Sequence, residues 1–463
     1  MTMWNPEIVD TKAPLYVSLA DAIEKGIQNS ELVMGEKLPT HRALADKLEV
    51  TVGTVTRGYA EAERRGLLEA RVGSGTFVKG SNSKRSKFSI LHSRPTDLID
   101  FSLNLPIASD ASPLLSGILK ELSKDVSSEL DLLSYQPEQG LPRHRQWAAQ
   151  WLSKSGLTLN EEQITITCGG QHAIMLALMA ASRSGDTIFS EGLTYPGFNA
   201  IATQLGVKVI GLPMDEEGII PEAFEEQCKL NAARALYCTP NNQNPTNATM
   251  GLERRKAIIT IARRYKLWII EDEVSSNLVT EKLPPLAALE PDICFYINSH
   301  SKTVAAGLRV GYLAAPSRLA DKVAAGIQAQ CWFTPPLPVE VAQRWLQRLD
   351  SAEWIAWQSE ELSRRLALVE SHLGDFDCKI TQGSFHAWLV LPEQWRASDY
   401  QRVAQDKGVS ILSAESFAVG RFPSPQAVRV SISAPETIEE VEEGLKILRE
   451  LLVQDPCTRL SAF

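Results

Sequence analysis

Long apolar runs, paired cysteines and a positive net charge are all lacking in this sequence of 463 residues. No apolar run approaches the about eighteen residues that a membrane-spanning helix needs. The first residues, MTMWNPEIVD, lack the basic-then-apolar pattern of a signal peptide. Seven scattered cysteines without a C-x-x-C pair argue against a disulfide framework and a metal site. We therefore expect a cytoplasmic chain with reduced thiols, no metal and no membrane partner.

The net charge of −9 gives no overall indication of nucleic-acid binding, but the basic residues are unevenly placed. Residues 37–87 carry eleven Lys or Arg against five Asp or Glu, which leaves the rest of the chain strongly acidic. A basic segment in an acidic protein favours a polyanion-binding module, although a solvated charged face would look the same.

The first eighty residues are predicted to form three helices and a hairpin. Pro14 opens the first helix, Thr40 caps the second, and Thr51 caps a third that ends at Gly66. Two strands follow, joined across Gly73-Ser74-Gly75. The polar, aperiodic residues 81–98 are predicted to be a linker. The predicted domains are thus residues 1–80 and residues 99–463.

The third helix has a predicted core face made of Val52, Val55, Tyr59 and Ala62. Its opposite face centres on Arg57 among small residues, which permits close approach to DNA and supplies donors to bases and phosphates. A small helical cap with a solvated face remains the alternative. The candidate DNA contacts are Thr40, Arg42, Thr51, Gly53, Thr54, Thr56, Arg57, Arg64, Arg71 and Ser74.

The stretch LPTHRALADKLEVTVGTVTRGYAEAERRGLLEARVGSGTFV resembles the GntR-type winged helix-turn-helix. That resemblance implies that the third helix reads the major groove of double-stranded DNA and that the G-x-G-T-F-V element is the wing.

After the linker, strand-like runs such as ITITCGG, LWIIEDE and ICFYINS alternate with helical stretches. This alternation predicts a mostly parallel sheet with helices on both faces, followed by a smaller C-terminal α/β lobe. The predicted fold class is therefore multidomain, with a winged helix joined to an α/β domain.

Several polar residues of this body carry a chemical interpretation beside an ordinary one. The CGGQHA corner exposes backbone N–H groups at a helix start, where a phosphate is favoured. Asp272 follows a buried strand and needs a partner, for which a ring N–H⁺ is suitable. Lys302 is either an ordinary helix lysine or the amine that forms a Schiff base with an aldehyde. Ser299, Ser301 and Arg309 flank it and suit a phosphate.

In their order, these motifs resemble the fold-type I pyridoxal-phosphate enzymes over roughly residues 100–450. The resemblance implies that Lys302 bonds the aldehyde of pyridoxal 5′-phosphate, Asp272 holds the ring nitrogen, and Arg429 binds a substrate carboxylate. The implied cofactor-binding residues are Gly169, Gly170, Gln171, Tyr195, Asn244, Asp272, Ser299, Ser301, Lys302 and Arg309, with Tyr135 reaching the phosphate of a neighbouring subunit. The family tyrosine expected just after the aspartate is replaced by Val274 and Ser275, which throws efficient transamination into doubt.

The head, linker and body together resemble the MocR subfamily of GntR-type transcription regulators. That resemblance implies a head-to-tail homodimer that binds DNA and senses pyridoxal phosphate, a small amine or an amino acid. The alternative is a working aminotransferase with a secondary DNA-binding head.

Overall fold

A computed structural model describes residues 14–29, 31–32, 36–65, 67–71, 75–78, 98–107, 112–125, 130–279, 283–348 and 350–454. The chain divides into two compact units, Met1–Thr96 and Asp97–Phe463. The predicted linker lies outside the described residues apart from Leu98, and the two units are described separately.

The first unit contains three helices and a hairpin. They are α1 (Leu15–Gln28), α2 (His41–Lys47), α3 (Val52–Arg64), β1 (Leu68–Arg71) and β2 (Gly75–Val78). The predicted caps are present, because Thr40 Oγ1 accepts from the Ala43 N–H at 3.3 Å and Thr51 Oγ1 accepts from the Thr54 N–H at 3.2 Å. Each cap satisfies a backbone donor that a helix start leaves without an intrahelical partner.

The core of this unit lies between α1, α2 and α3, where Leu19, Ile23, Val55, Tyr59 and Ala62 are buried. The prediction that Val52 also belongs to this core is wrong, because its side chain is 43% exposed. Val52 is the first residue of α3. The apolar spacing of α3 includes this residue, but the surface that α3 packs against does not extend to the first turn.

The hairpin is antiparallel, with Leu68 opposite Val78 and Arg71 opposite Gly75. Residues 36–38 pair with its second strand, since the Leu38 N–H donates to Thr76 O at 2.9 Å and the Val78 N–H donates to Glu36 O at 2.8 Å. Three helices with a short β-hairpin of this kind form a winged helix-turn-helix.

The second unit alternates strands and helices over most of its length. Its strands are β3 (Ile99–Asp100), β4 (Ile164–Thr167), β5 (Thr187–Glu191), β6 (Lys208–Leu212), β7 (Met214–Asp215), β8 (Gly218–Ile219), β9 (Ala233–Cys238), β10 (Trp268–Asp272), β11 (Cys294–Ser299), β12 (Gly311–Ala314), β13 (Cys378–Lys379), β14 (His386–Val390), β15 (Val409–Ser410), β16 (Leu412–Ser413) and β17 (Ala427–Ser431). Its helices are α4 (Ser112–Asp125), α5 (Pro142–Ser153), α6 (Gly170–Ala181), α7 (Pro196–Gln204), α8 (Pro221–Leu230), α9 (Leu252–Arg264), α10 (Leu286–Leu289), α11 (Ala320–Cys331), α12 (Pro336–Gln347), α13 (Asp350–Leu373), α14 (Ala397–Asp406) and α15 (Ile438–Val453).

Seven strands form the main sheet in the order β4-β12-β11-β10-β9-β5-β6. Only the contacts of β12 with β11 and β4 are antiparallel, so the sheet is mostly parallel, as predicted. Alternate residues of β9 enter the two cores on opposite faces: Leu236 lies in one and Tyr237 in the other. The parallel strands therefore present their carboxyl ends at one edge of a sheet that is covered on both faces.

The C-terminal part of this unit is a smaller lobe with a four-stranded antiparallel sheet in the order β13-β14-β17-β16. Its core packs α13, α14 and α15 against the sheet. The start of the unit belongs to this lobe as well, because Val409 pairs in parallel with Ile99. Within the described ranges, no helix combines the length and apolarity required to cross a membrane.

Candidate functional site

The predicted site residues of the second unit converge at the carboxyl edge of the main sheet. Asp272 is the last residue of β10 and Ser299 the last of β11, and the corner 168–170 directly follows β4. Open α/β sheets bind ligands at this edge because the loops that leave parallel strands meet there.

Lys302 lies three residues beyond β11, and its Nζ donates to the backbone oxygen of Asn104. The Phe385 ring centroid is 5.9 Å from the same Nζ. Burial, with the nearby cations Arg429 and Arg309, lowers the pKa of Lys302 to about 7. A large share of the amine is therefore unprotonated near neutral pH, which is the form that attacks an aldehyde.

Asp272 is a buried carboxylate, and the hydrogen-bond partners of its two oxygens are both neutral. Its Oδ2 accepts from the Tyr237 hydroxyl at 2.7 Å and its Oδ1 accepts from the Val274 N–H at 3.1 Å. Burial raises the pKa of Asp272, and the two hydrogen bonds oppose that rise. A cation beside this carboxylate would favour its ionised form.

Asn244 and Arg429 are joined by a hydrogen bond from Arg429 Nη1 to Asn244 Oδ1 at 2.8 Å. Arg429 Nη2 donates to the backbone oxygen of Ser102, and the Phe417 ring lies 4.9 Å from the guanidinium carbon. Burial lowers the pKa of Arg429 to about 10. Its Nε is buried and has no hydrogen-bond partner among the described residues.

The glycine corner is closely covered by other candidate residues. A Cβ added at Gly169, whose φ is +83°, would lie 2.5 Å from Arg309 Nη2. A Cβ at Gly170, the first residue of α6, would lie 2.7 Å from Val274 Cγ2 and 3.6 Å from Ser299 Cβ. Only glycine therefore leaves room for the Arg309 side chain and the helix start to occupy the same small region.

Polar groups surround that corner. Ser299 Oγ and Ser301 Oγ are 2.9 Å apart, and Arg309 Nη2 donates to Cys168 O at 3.3 Å. Gln171 is exposed in the first turn of α6, where backbone N–H groups lack intrahelical partners. Hydroxyls, a guanidinium and a helix N-terminus form a donor set that suits a phosphate.

The two candidate tyrosines are in different surroundings. Tyr195 precedes α7 with its ring folded over Gly197, and burial with the charge of Asp272 raises its pKa to about 12. Tyr135 is 83% exposed and packs edge-on against Trp332 and Phe333. Tyr195 is thus buried near Asp272, whereas Tyr135 faces outward.

At the positions where the family tyrosine is expected, Val274 packs against the start of α6 and Ser275 is half-buried. The Ser275 backbone oxygen accepts from Asn242 Nδ2 at 3.5 Å. Neither side chain supplies a phenol to the pocket.

Most of the candidate DNA contacts that the structure describes are exposed residues of α2, α3 and their caps. Arg57 is exposed on α3 and Arg42 on α2. The Thr51 and Thr40 hydroxyls are used as helix caps, and Thr56 Oγ1 donates to Val52 O at 2.9 Å. Gly53 is exposed and Thr54 is half-buried in the first turn of α3. Ser74 and the side chains of Arg64 and Arg71 lie outside the described residues.

Sequence reasoning missed three groups around the pocket. Tyr237 of β9 lies opposite Ile270 of β10, and Ile270 is two residues before Asp272. The sequence of either strand alone does not reveal this register. Asn104 belongs to an irregular segment that the sequence does not mark. Buried His386 bonds Asn104 through Nδ1 at 3.0 Å, and its Nε2 has no partner among the described residues.

These residues fit pyridoxal 5′-phosphate. Asp272 offers a buried anion for the ring nitrogen, and the Gly169 corner offers donors for the phosphate. Because Asn244 Oδ1 accepts from Arg429, its Nδ2 is left to donate to the ring oxygen. Lys302 would supply the amine, and Arg429 Nε is a buried donor that has no partner among the described residues.

Comparison with known proteins agrees with both units. Residues 96–448 match the family model "Aminotransferase class I and II", and residues 15–78 match "Bacterial regulatory proteins, gntR family". The chain is 26% identical to an archaeal alanine:glyoxylate aminotransferase of known structure, with a TM-score of 0.70 over 81% of this chain and 96% of that one. The fold and site thus define a protein with a DNA-binding head and a fold-type I domain whose cofactor is pyridoxal 5′-phosphate.

Full-length relatives share this combination. An uncharacterized HTH-type transcriptional regulator of Bacillus subtilis is 32% identical over 97% of this chain and 96% of its own. The HTH-type pyridoxine biosynthesis transcriptional regulator PdxR of Corynebacterium glutamicum is 28% identical over 80% of this chain and 82% of its own. The chain belongs to the MocR subfamily of GntR-type transcription regulators.

Proposed function

We propose that this regulator senses pyridoxal 5′-phosphate, or an amine or amino acid that reacts with it, through Lys302. The observation that carries the proposal is the burial of the Lys302 amine near Arg429 and Arg309, in a pocket that also holds Asp272; this burial and the two cations lower the pKa of Lys302 to about 7. A reactive amine that shares its pocket with a buried anion and a buried cation is suited to a ligand with both a ring nitrogen and acidic groups.

Each residue has a separate task in this proposal. When bound, pyridoxal 5′-phosphate supplies an aldehyde carbon that amines attack. Lys302 presents its unprotonated Nζ to that carbon, and Asp272 keeps a proton on the ring nitrogen. Asn244 donates Nδ2 to the ring oxygen, and Tyr195 packs against the ring.

The phosphate is assigned to the corner after β4. Backbone N–H groups of Gly170 and Gln171 donate to it, together with the hydroxyl of Ser301. The Gly169 N–H donates to Thr167 O at 2.8 Å and the Ser299 hydroxyl donates to Val310 O at 2.9 Å, so these two residues shape the corner. Arg309, whose side chain already covers Gly169, adds a charge-assisted hydrogen bond.

Arg429 is assigned to the carboxylate of an amino-acid effector. Its guanidinium is buried, its partners are neutral, and Nε has no partner among the described residues. An incoming carboxylate would stabilise the cation by accepting from it, ideally through two parallel hydrogen bonds.

A homodimer would complete the cofactor site. Tyr135 is 83% exposed and lies with Trp332, 53% exposed, and Leu133, 79% exposed, on a surface that a second copy could bury. We assign Tyr135 to the phosphate of the neighbouring subunit and propose a head-to-tail arrangement in the cytoplasm. Residues 1–80, 81–98 and 99–463 are the proposed head, linker and sensing domain.

The head binds double-stranded DNA, and ligand binding in the sensing domain changes that binding. We assign Arg57 and Arg42 to contacts in and beside the major groove, with Gly53 and Thr54 permitting close approach of α3. For ligand binding to regulate transcription, the ligand must bind the two DNA-binding states with different affinity. The name of the Corynebacterium relative, a regulator of pyridoxine biosynthesis, supports pyridoxal phosphate itself as one signal.

The test is a gel shift on the DNA upstream of the chain's own coding sequence, at stated salt, with and without pyridoxal phosphate and then across amino acids. Binding whose affinity changes with one ligand supports the proposal. Lys302→Ala should remove both the visible absorption of the lysine-linked cofactor and that ligand response. If the response persists in Lys302→Ala, sensing through Lys302 is wrong.

A second variant separates the head from the pocket. Arg57→Ala should weaken DNA binding and lower its salt dependence, with the cofactor spectrum unchanged. Lys25→Ala, which removes an exposed cation from α1, is the matched control and should bind as the parent does. Equal weakening by both variants would mean that net charge alone, and not the α3 surface, holds DNA.

The second candidate function is an active aminotransferase, which the buried Arg429 and the Asp272–Lys302 pair favour. Val274 and Ser275 stand against it, because no phenol follows Asp272 to tune the cofactor. Brisk conversion of an amino acid to its keto acid, without any ligand-responsive DNA binding, would favour this candidate over the regulator.

A further inference from the structure

Beside the phosphate corner, three soft ligand groups meet that the sequence places far apart. One sulfur atom from Cys168, one from Cys331 and one ring nitrogen of His172 all lie within 4.8 Å of one another. Cys168 follows β4, His172 is in the first turn of α6, and Cys331 ends α11. Because α11 packs against α6, a separation of more than 150 residues becomes a cluster, which the missing C-x-x-C pattern concealed.

We propose that Cys168, His172 and Cys331 form a binding site for a soft divalent cation of the Zn²⁺ type. Two thiolates and one imidazole are ligands that Zn²⁺ prefers, with a fourth position open to water. In a tetrahedral site with bonds of about 2.0–2.3 Å, ligand atoms lie about 3.5–3.8 Å apart, so the three groups need to approach by at most about 1.3 Å. The two thiols release their protons to solvent on binding, and the site is then neutral overall.

The ring nitrogen of His172 that can bind the metal is Nδ1, and binding replaces the hydrogen bond that this nitrogen accepts from the Cys168 N–H. Its Nδ1 accepts from the Cys168 N–H at 3.1 Å, so in the neutral ring the proton lies on Nε2. The Gln330 side chain also hydrogen-bonds His172, and since Gln330 Nε2 donates to Met179 Sδ, its oxygen is left to accept from that proton. A ligating histidine whose other N–H donates to an amide oxygen is the usual arrangement in metal sites.

Access from solvent is also present. Cys331 is exposed and Cys168 and His172 are half-buried. Cys168 Sγ lies 3.8 Å from Thr334 Oγ1, whose hydroxyl donates to Ile166 O, so the sulfur is held at the mouth of the cluster. A cation can therefore enter without opening the core.

The experiment uses the full chain with bound cofactor, reduced with a thiol-free phosphine. Titration with Co²⁺ should give one bound ion per chain, thiolate-to-cobalt charge transfer, and strong tetrahedral bands at wavelengths longer than the cofactor absorption. Zn²⁺ should displace it stoichiometrically. Absence of these bands, or weak octahedral bands only, would overturn the proposal.

Variants locate the ion. Cys331→Ser, at an exposed helix end, and His172→Ala should each weaken Co²⁺ binding by at least about tenfold, and Gln330→Ala by about tenfold through loss of the ring's partner. Cys378→Ser removes a half-buried thiol of the small lobe and should bind Co²⁺ as the parent does. An unchanged Co²⁺ affinity in Cys331→Ser, or a weakened affinity in Cys378→Ser, would refute the assignment.

Discussion

Arg429 Nη1 donates to Asn244 Oδ1 at 2.8 Å, and this bond joins a strand of the small lobe to the loop that follows β9. A guanidinium has no acceptor, so the bond fixes which end of the Asn244 amide faces Arg429. The Nδ2 group is consequently directed elsewhere in the pocket. The residue assigned to the effector thus orients a residue assigned to the cofactor.

This relationship predicts the effect of Asn244→Asp. A carboxylate still accepts from Arg429 but cannot donate to the cofactor's ring oxygen, so pyridoxal phosphate should bind at least about tenfold more weakly, in line with 1–3 kcal/mol for an unsatisfied buried group. Absorbance titration measures the affinity. Asn231→Asp, at the end of α8, changes charge equally outside the pocket and should leave the affinity unaltered. Equal affinity in both variants would contradict the role of Nδ2.

The pKa of Lys302 predicts a pH dependence for cofactor attachment. Since that pKa is lowered to about 7, the rate at which the apo chain develops the visible cofactor band should rise through about pH 7 and then level off. A lysine with its ordinary value of 10.5 would give a rate that keeps rising to about pH 10. Stopped-flow absorbance distinguishes the two profiles.

The lowered pKa of Lys302 also predicts how the stability of the folded chain changes with pH. Between about pH 7 and 10.5 the unfolded chain keeps a proton on Lys302 that the folded chain has lost, so stability rises with pH across this window. Below about pH 7 the amine is charged in the folded chain, and the full free-energy cost of burying that charge lowers stability. Above about pH 10.5 the amine is neutral in both states, and this cost is absent. Relative to Lys302→Met, the apo parent should gain on the order of a few kcal/mol over that range in denaturant titrations. If the free energies of unfolding of the parent and of Lys302→Met change with pH in the same way, the Lys302 amine is not desolvated.

Gly169→Ala tests the crowding at the phosphate corner. The new Cβ would meet Arg309 Nη2 at 2.5 Å, so the guanidinium must leave and the cofactor affinity should fall at least about tenfold. Gly185→Ala is the control, because its φ of +89° gives similar backbone strain of about 1 kcal/mol with no atom within 4 Å of the Cβ. Both variants should lose similar stability, and only the first should lose affinity. A loss of affinity in both would implicate general loosening.

Tyr237→Phe tests the support of Asp272. Removing the 2.7 Å hydrogen bond should raise the pKa of Asp272 further and weaken pyridoxal phosphate binding, by about 1.5–3 kcal/mol for a bond to a charged group. Tyr400→Phe removes a 2.8 Å hydroxyl bond to Leu448 O in the small lobe and serves as the buried-tyrosine control. The measurement is the affinity of each variant for pyridoxal phosphate, compared with that of the parent. If Tyr237→Phe binds the cofactor as tightly as Tyr400→Phe does, Tyr237 only fills space.

The sequence predicted the parts of this site that are local. Asp272 at a strand end and the glycine corner before a helix are readable from a few residues, as are the threonine caps of α2 and α3. The missed parts depend on register and packing between distant segments. Tyr237 reaches Asp272 only because β9 and β10 are neighbours in one register, and Cys331 reaches Cys168 only through the packing of α11 on α6. The prediction for Val52 was wrong because the apolar spacing of α3 begins one turn before the surface that the helix packs on.

The burial of Arg429 among neutral partners has a consequence for the amount of regulator in a cell. A buried cation without an ion-pair partner is a standing penalty that the nearby Asp100 only partly offsets, and a bound anion relieves it. The folded population should then follow the concentrations of cofactor and effector by mass action. When these metabolites are scarce, more chains are open to proteolysis. Nutrient supply would thus set how many regulator molecules survive, as well as what each one does on DNA.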